Sequence, residues 1–179
     1  MKPMVRKFDT AWAKRMKLIP KWLDRPMHII TFFGEPVIIL PILTIFSYFA
    51  IQSDDKTLLK ILIIGLVGIA INSAGKWIFA RKRPDSAYVH KMWLHTFSFP
   101  SGHSGGSMIT YGMCAIVLWY IYGIEAGAIA LIMAILTSLL IGVSRVYLEA
   151  HYMSDVIAGW IIGLVTLGTI ALQINLLQF

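Results

Sequence analysis

Five apolar runs, at about residues 28–51, 57–79, 104–122, 126–146 and 156–177, constrain this chain more than any other feature. Each approaches the roughly 20 residues that a helix needs to cross the hydrocarbon core of a bilayer. In that core every backbone N–H and C=O must find an internal partner, so spanning segments of this kind are helical. Composition agrees. Of the 179 residues 58% are hydrophobic and 14% charged, whereas a soluble domain is about one quarter charged. The expected fold is an all-α membrane protein, a bundle of about five transmembrane helices. Gly65, Gly68, Gly75, Gly105, Gly106, Gly159 and Gly163 recur inside the runs and suit close helix approach. The one sizeable break, residues 80–103, is too short for a second domain. The expected division is residues 1–26 as an N-terminal element and 27–179 as a single transmembrane domain. The lone cysteine, Cys114, excludes a disulfide framework and a thiolate metal cluster.

Residues 1–26 carry eight Lys/Arg and two Asp, without the apolar core of a signal peptide. Phe8, Trp12, Met16 and Ile19 recur at spacings of four, four and three, and Lys14, Arg15, Lys17 and Lys21 fall off that stripe. The pattern predicts an amphipathic helix on the membrane surface, ending near Pro20. The competing reading is a helix packed on its own protein. The net charge is +7. Because the basic residues flank apolar spans, anionic membrane lipids are the expected partner rather than nucleic acid. Trp12, Trp22, Trp77 and Trp93 fit an interfacial aromatic belt.

Five crossings place the end of the second run, the start of the third and the turn between the fourth and fifth on one membrane face. Most ionisable residues gather there. Lys76 lies inside the end of the second run, Arg145 closes the fourth and Asp155 opens the fifth. Snorkelling to the headgroups would explain any one of them. Three chain-separated clusters on one face instead predict a functional site.

Lys76, Arg83 and Arg145 suit an anion, since the guanidinium fork matches phosphate and lysine supplies a point charge. Pro100, Ser101, Gly102 and His103 open the third run, whose first N–H groups are unpaired and form a ready anion site. Gly102 permits close approach to the backbone. His103 then stands where a proton donor to a leaving oxygen is needed. His151 and Asp155 are four residues apart, on one helical face if the helix is continuous. A carboxylate there holds one imidazole nitrogen as N–H and leaves the other free to attack or to accept a proton. Metal sites and plain helix pairs share that spacing. No cysteine nucleophile, paired carboxylates or zinc-ligand spacing is present, so no metal and no cofactor is expected. His28, His90 and His95 read as headgroup-level residues. Glu35, near the same face, calls for a basic partner. Tyr88, Trp93 and Phe97 are candidates for shaping headgroup access.

Three segments carry a resemblance. In KWIFARKRP (76–84), Lys is followed after six residues by Arg-Pro. PSGH stands at 100–103. In SRVYLEAHYMSD (144–155), Ser-Arg, five residues, His, three residues and Asp follow in order. Together they resemble the three-part signature of the PAP2 family of membrane lipid phosphatases, which includes phosphatidic acid, phosphatidylglycerophosphate, undecaprenyl-diphosphate and lipid A phosphatases. Vanadium haloperoxidases share the site. The resemblance implies that Lys76, Arg83 and Arg145 hold the phosphate oxygens and that Ser101 and Gly102 add donors from the helix start. It implies that His151 is the nucleophile, forming a phosphohistidine, with Asp155 orienting it. His103 would protonate the departing lipid oxygen and later activate water. Positioning and charge neutralisation dominate phosphoryl transfer, and side chains with a helix dipole would supply both without a metal.

Bacterial members commonly have six spans, and five are counted here. The absent one would be the first, making residues 1–26 the surface helix that normally follows it. The family's site usually faces away from the cytoplasm, although this face holds 14 of the 16 Lys/Arg and the positive-inside tendency points the other way. The reading follows the family: a bacterial cytoplasmic membrane, an extracytoplasmic site, and a lipid phosphate reaching it from the bilayer. Two alternatives remain open from the sequence. One is a vanadate-dependent haloperoxidase, which the apolar spans disfavour. The other is a non-catalytic anionic-lipid binding or transport protein, which the His103, His151 and Asp155 set disfavours.

Overall fold

The structure, a computed structural model, describes residues 3–91 and 96–176. Its regular elements are helices: α1 (Pro3–Met16), a 3-10 turn (Lys21–Leu23), α2 (Asp24–Phe32), α3 (Pro36–Gln52), α4 (Lys56–Phe79), α5 (Ala87–His90), α6 (Gly102–Tyr122), α7 (Ile124–Tyr147) and α8 (Met153–Gln173). Five segments are long and apolar enough to span a membrane: Lys21–Gln52, Lys56–Phe79, Gly102–Tyr122, Ile124–Tyr147 and Met153–Gln173. The all-α bundle of five candidate spans is therefore as the sequence predicts.

Local chemistry sets the helix ends. The Asp55 carboxylate accepts from the Thr57 and Leu58 amides, at 2.7 and 3.4 Å, and starts α4. Ala80, in the left-handed region at φ 44°, stops it. Ser101 caps α6 by accepting from the Ser104 amide. Asp155, three residues past the Tyr152 cap of α8, accepts the Tyr152 N–H at 3.0 Å.

Helix α6 sits centrally, packed against α3, α4, α7 and α8. Its neighbours turn residues such as Leu40, Val67, Ile132 and Val165 outward, as a lipid-facing surface requires. Small residues allow the close approach. A Cβ at Gly159 on α8 would lie 2.8 Å from the Ser101 carbonyl and 2.9 Å from the Gly105 amide, both backbone atoms of α6. A Cβ at Gly105 would meet Asn72 Oδ1 at 2.5 Å. Gly106 has nothing within 4 Å, so the expected close-packing role belongs to Gly105 and not to its neighbour.

Three expectations change in detail. The first apolar run begins at Lys21, not 28, and is broken: α2 stops at Phe32 and α3 starts at Pro36. Proline disfavours helical backbone in the residue before it, and Glu35 is extended, with ψ 150°. The N-terminal helix ends at Met16 rather than near Pro20. Of its stripe, Trp12, Met16 and Ile19 pack on Val146, Met153 and Val156 of α7 and α8, while Phe8 stays 41% exposed. The competing reading, packing on the protein itself, describes most of the stripe, and Arg6, Lys7, Lys14, Arg15 and Lys17 remain exposed. Finally, His151 and Asp155 do not share a continuous helix. Helix α7 ends at Tyr147, Glu149 adopts φ 53°, and α8 begins only at Met153.

Candidate active site

The turn between α7 and α8, the start of α6 and the end of α4 converge on His151. This imidazole is 2% exposed. Its Nε2 lies 2.9 Å from an Arg83 guanidinium nitrogen. Arginine only donates, so Nε2 presents its lone pair and Nδ1 carries the proton. Nδ1 faces Asp155 Oδ2 at 3.5 Å and the Ser98 hydroxyl at 3.4 Å. Burial first, then the charges of Arg83, Arg145 and Lys76, hold this imidazole well below its ordinary value of 6.5. It is neutral near pH 7, with the Nε2 lone pair available. The pairing survives without a continuous helix because the chain turns at Glu149 and brings His151 back over the start of α8.

Asp155 is fully buried and fully engaged. Oδ1 accepts from Arg81 at 2.5 Å. Oδ2 accepts from the Ser98 hydroxyl and, at 3.0 Å, from the Tyr152 amide. A carboxylate held by this many donors has one orientation.

The three expected cations gather around His151. Arg83 is tethered by Thr96, whose carbonyl accepts from Nε at 2.8 Å and whose hydroxyl accepts from a guanidinium nitrogen at 3.0 Å. It also donates to the Ala150 carbonyl at 3.1 Å. Burial, then Arg145, pushes its pKa down to about 10, so it remains a cation at neutral pH. Lys76 Nζ donates to the Pro100 carbonyl at 3.0 Å and the Phe97 carbonyl at 3.3 Å, which draws the loop before α6 toward α4. Arg145 is fully buried and donates to the Thr31 hydroxyl at 2.8 Å and the Tyr88 hydroxyl at 3.0 Å.

The start of α6 divides its donors. The Ser101 amide donates to the Asp155 carbonyl at 3.0 Å, and its hydroxyl oxygen accepts from the Ser104 amide and hydroxyl, at 3.4 and 2.9 Å. Ser101 therefore builds the helix end with its amide and oxygen, and its hydroxyl hydrogen is still able to donate. The Gly102 and His103 amides have no partner among the described residues and are the backbone donors left for an anion. Gly102 leaves room there, since a Cβ would lie 3.4 Å from Lys76 Cε. His103 Nε2 lies 3.1 Å from Glu35 Oε1, and Glu35 is also 3.9 Å from Arg145. The basic partner expected for Glu35 is thus present, because the break between α2 and α3 delivers it to this face. Tyr88 touches Arg145 and His28 rather than standing free, and Phe97 packs on Trp77. Trp93 and His95 lie outside the described residues.

Sequence reasoning missed Arg81 and Ser98. Arg81, Lys82 and Arg83 alternate in burial, with only Lys82 exposed. A period of two outside a helix places residues 81 and 83 on one side, and that signal was readable. Ser98 offers none, because only the fold brings it beside residues 151 and 155.

Comparison with known proteins follows the same lines. The PAP2 superfamily pattern matches residues 57–178. Phosphatidylglycerophosphatase B of Bacillus subtilis is 33% identical over 166 residues, which cover 89% of this chain and 80% of that protein. An undecaprenyl-diphosphatase of Sulfolobus acidocaldarius is 24% identical over 145 residues, covering 79% of this chain and 66% of that protein. A solved structure, described as the first transmembrane PAP2 type phosphatidylglycerolphosphate phosphatase from Bacillus subtilis, superposes with a TM-score of 0.80. Identity there is 28%, over 94% of this chain and 85% of the other. With these matches and its apolar spans, the chain belongs to the PAP2 superfamily as an integral membrane phosphatase.

Proposed function

We propose that the protein hydrolyses a lipid phosphate, either a phosphomonoester or a diphosphate of the phosphatidylglycerophosphate or undecaprenyl-diphosphate class, through a phosphohistidine on His151. One observation carries this reading: the His151 Nε2 lone pair points at Arg83, in the middle of a cation cluster. A phosphate drawn to Lys76, Arg83, Arg145 and the Gly102 and His103 amides would have its phosphorus next to that lone pair.

Nε2 attacks phosphorus and the bond to the lipid oxygen breaks. His103 donates its proton to that oxygen. Asp155 faces the Nδ1–H and balances the positive charge that builds on the ring. Water then loses a proton to His103 and attacks phosphorus, the P–N bond breaks, and inorganic phosphate leaves. Electrostatic preorganisation of this kind commonly supplies the largest part of catalysis. The same residues need no metal or cofactor.

The apolar spans favour a substrate that reaches the site sideways from the bilayer. The exposed basic face of α1 suits anionic lipid headgroups, with the helix lying at the membrane surface. The family points to a bacterial cytoplasmic membrane with the site outside the cytoplasm. Cysteine labelling tests that orientation, using Lys91→Cys in a Cys114→Ala background. Labelling of intact cells supports it, and labelling only after permeabilisation contradicts it. Phosphate release from a side-by-side panel of phosphatidylglycerophosphate, undecaprenyl diphosphate, phosphatidic acid and lipid A, in detergent, tests the reaction. Release from a phospholipid or isoprenoid substrate is expected, and no release from any of them would refute the proposal.

A further inference from the structure

Behind the nucleophile lies a chain of charges that the proposed reaction does not use. Asp9, on α1, is 4% exposed, although its helix is otherwise polar on most sides. Its Oδ1 accepts from the Ser154 amide at 2.9 Å, and its Oδ2 from the Ser154 hydroxyl at 2.8 Å. Oδ2 also accepts from one guanidinium nitrogen of Arg81 at 2.7 Å. The other nitrogen of that guanidinium reaches Ser154 Oγ at 2.7 Å and Asp155 Oδ1 at 2.5 Å. The guanidinium carbon lies over the Tyr152 ring, 3.9 Å from its centroid. One arginine thus clamps two buried carboxylates, one on the N-terminal helix and one beside the nucleophile.

We propose that Asp9 is a positioning residue of the active site, holding Arg81 so that Asp155 keeps its orientation toward His151 and offsetting the Arg81 charge that His151 would otherwise meet. This rests on the reading of His151 as nucleophile with Asp155 as its partner. Charge counting gives the reason. Asp155 paired with Arg81 alone is neutral and offers little to a ring gaining positive charge. Asp9 restores one net negative charge to the trio. Geometry adds to it: with Arg81 shared between two carboxylates, Asp155 Oδ1 is fixed and Oδ2 is left facing His151. Docking of α1 alone would be served by the Ser154 donors and an arginine of its own; sharing Arg81 with Asp155 is what ties Asp9 to the site. The N-terminal helix is therefore part of the catalytic apparatus, 142 residues before the nucleophile in sequence.

The test is steady-state kinetics of the full chain in detergent, on the substrate with the fastest turnover, for Asp9→Asn, Arg81→Gln and the double variant. Asp9→Asn is expected to lower kcat about tenfold or more, with KM within about twofold and little change in Tm. In the Arg81→Gln background the same substitution is expected to cost less than about twofold, because coupled residues are not additive. Asp9→Glu, which keeps the charge, is expected to recover part of the loss. A kcat within twofold of wild type, a loss confined to Tm, or independent effects at the two positions would overturn the proposal. If Asp9→Asn does not fold, Arg81→Lys carries the test, since lysine keeps the charge but not the two-carboxylate fork. It is expected to lose kcat about tenfold, and unchanged kcat would overturn the proposal. His151→Ala is measured in parallel. Full activity in that variant would refute the nucleophile reading itself, an outcome separate from any result at Asp9.

Discussion

The Arg83 guanidinium sits 2.9 Å from His151 Nε2, on the lone pair that the proposed reaction needs. The contact fixes the tautomer, because a donor at Nε2 leaves the proton on Nδ1, toward Asp155. In the proposed reaction, a phosphate entering the site would take over Arg83 as a partner and uncover the His151 lone pair in the same movement. Arg83→Lys is expected to lower kcat/KM at least about tenfold, since lysine lacks the planar fork that phosphate matches. Lys91→Ala, at an exposed position nearby, is expected to leave kcat/KM within about twofold. Equal losses in the two variants would show that general positive charge is what matters.

Ser98 donates to Asp155 Oδ2 and stands 3.4 Å from His151 Nδ1. Its removal leaves a buried carboxylate short of one donor, an effect of about 1–3 kcal/mol. Ser98→Ala is expected to lower kcat about tenfold with little change in KM. Steady-state kinetics checks both values.

If His103 protonates the leaving oxygen, its importance depends on the leaving group. His103→Ala is expected to lose much more activity on an alkyl lipid phosphate than on p-nitrophenyl phosphate, whose phenolate leaves unaided. Equal losses on both would remove His103 from that role. Glu35, 3.1 Å from His103, is expected to share the pattern in weaker form as Glu35→Gln.

The His151 imidazole is held well below 6.5, chiefly by burial. Below that pH the unfolded chain binds a proton that the folded protein resists. Stability from this group is therefore complete above pH 6.5 and declines as the pH falls below it. The Tm of wild type is expected to drop more between pH 7.5 and 5.5 than that of His151→Gln. A parallel decline in the two proteins would contradict the assignment.

Gly159→Ala places a methyl group against two backbone atoms of α6 and is expected to lower stability by about 1–3 kcal/mol. Gly106→Ala meets open space and is expected to be neutral. Thermal unfolding in detergent compares them.

Much of this was legible in the residues. The apolar runs gave the number of spans, since length and hydropathy are local properties. The three charged segments pointed to one face because five crossings fix which ends coincide. What the sequence hid depends on backbone breaks and long-range pairing. The spacing of His151 and Asp155 suggested a helical face, whereas a turn at Glu149 makes the pair. Ser101 looked like a backbone donor, and its amide is instead consumed within the fold by the Asp155 carbonyl. The Asp9–Arg81 contact joins residues 72 apart, and no period in either segment announces it. The N-terminal stripe was ambiguous in principle, because a membrane and an α7/α8 surface both reward the same apolar spacing.

The most direct measurement is a rapid-quench reaction with lipid substrate labelled with ³²P in the phosphate to be transferred. Wild type is expected to show transient, base-stable and acid-labile label that maps to His151. His151→Ala should show neither label nor steady phosphate release, in EDTA as in its absence. Label on another residue, or phosphate release by His151→Ala at the wild-type rate, would contradict a phosphohistidine mechanism at this site.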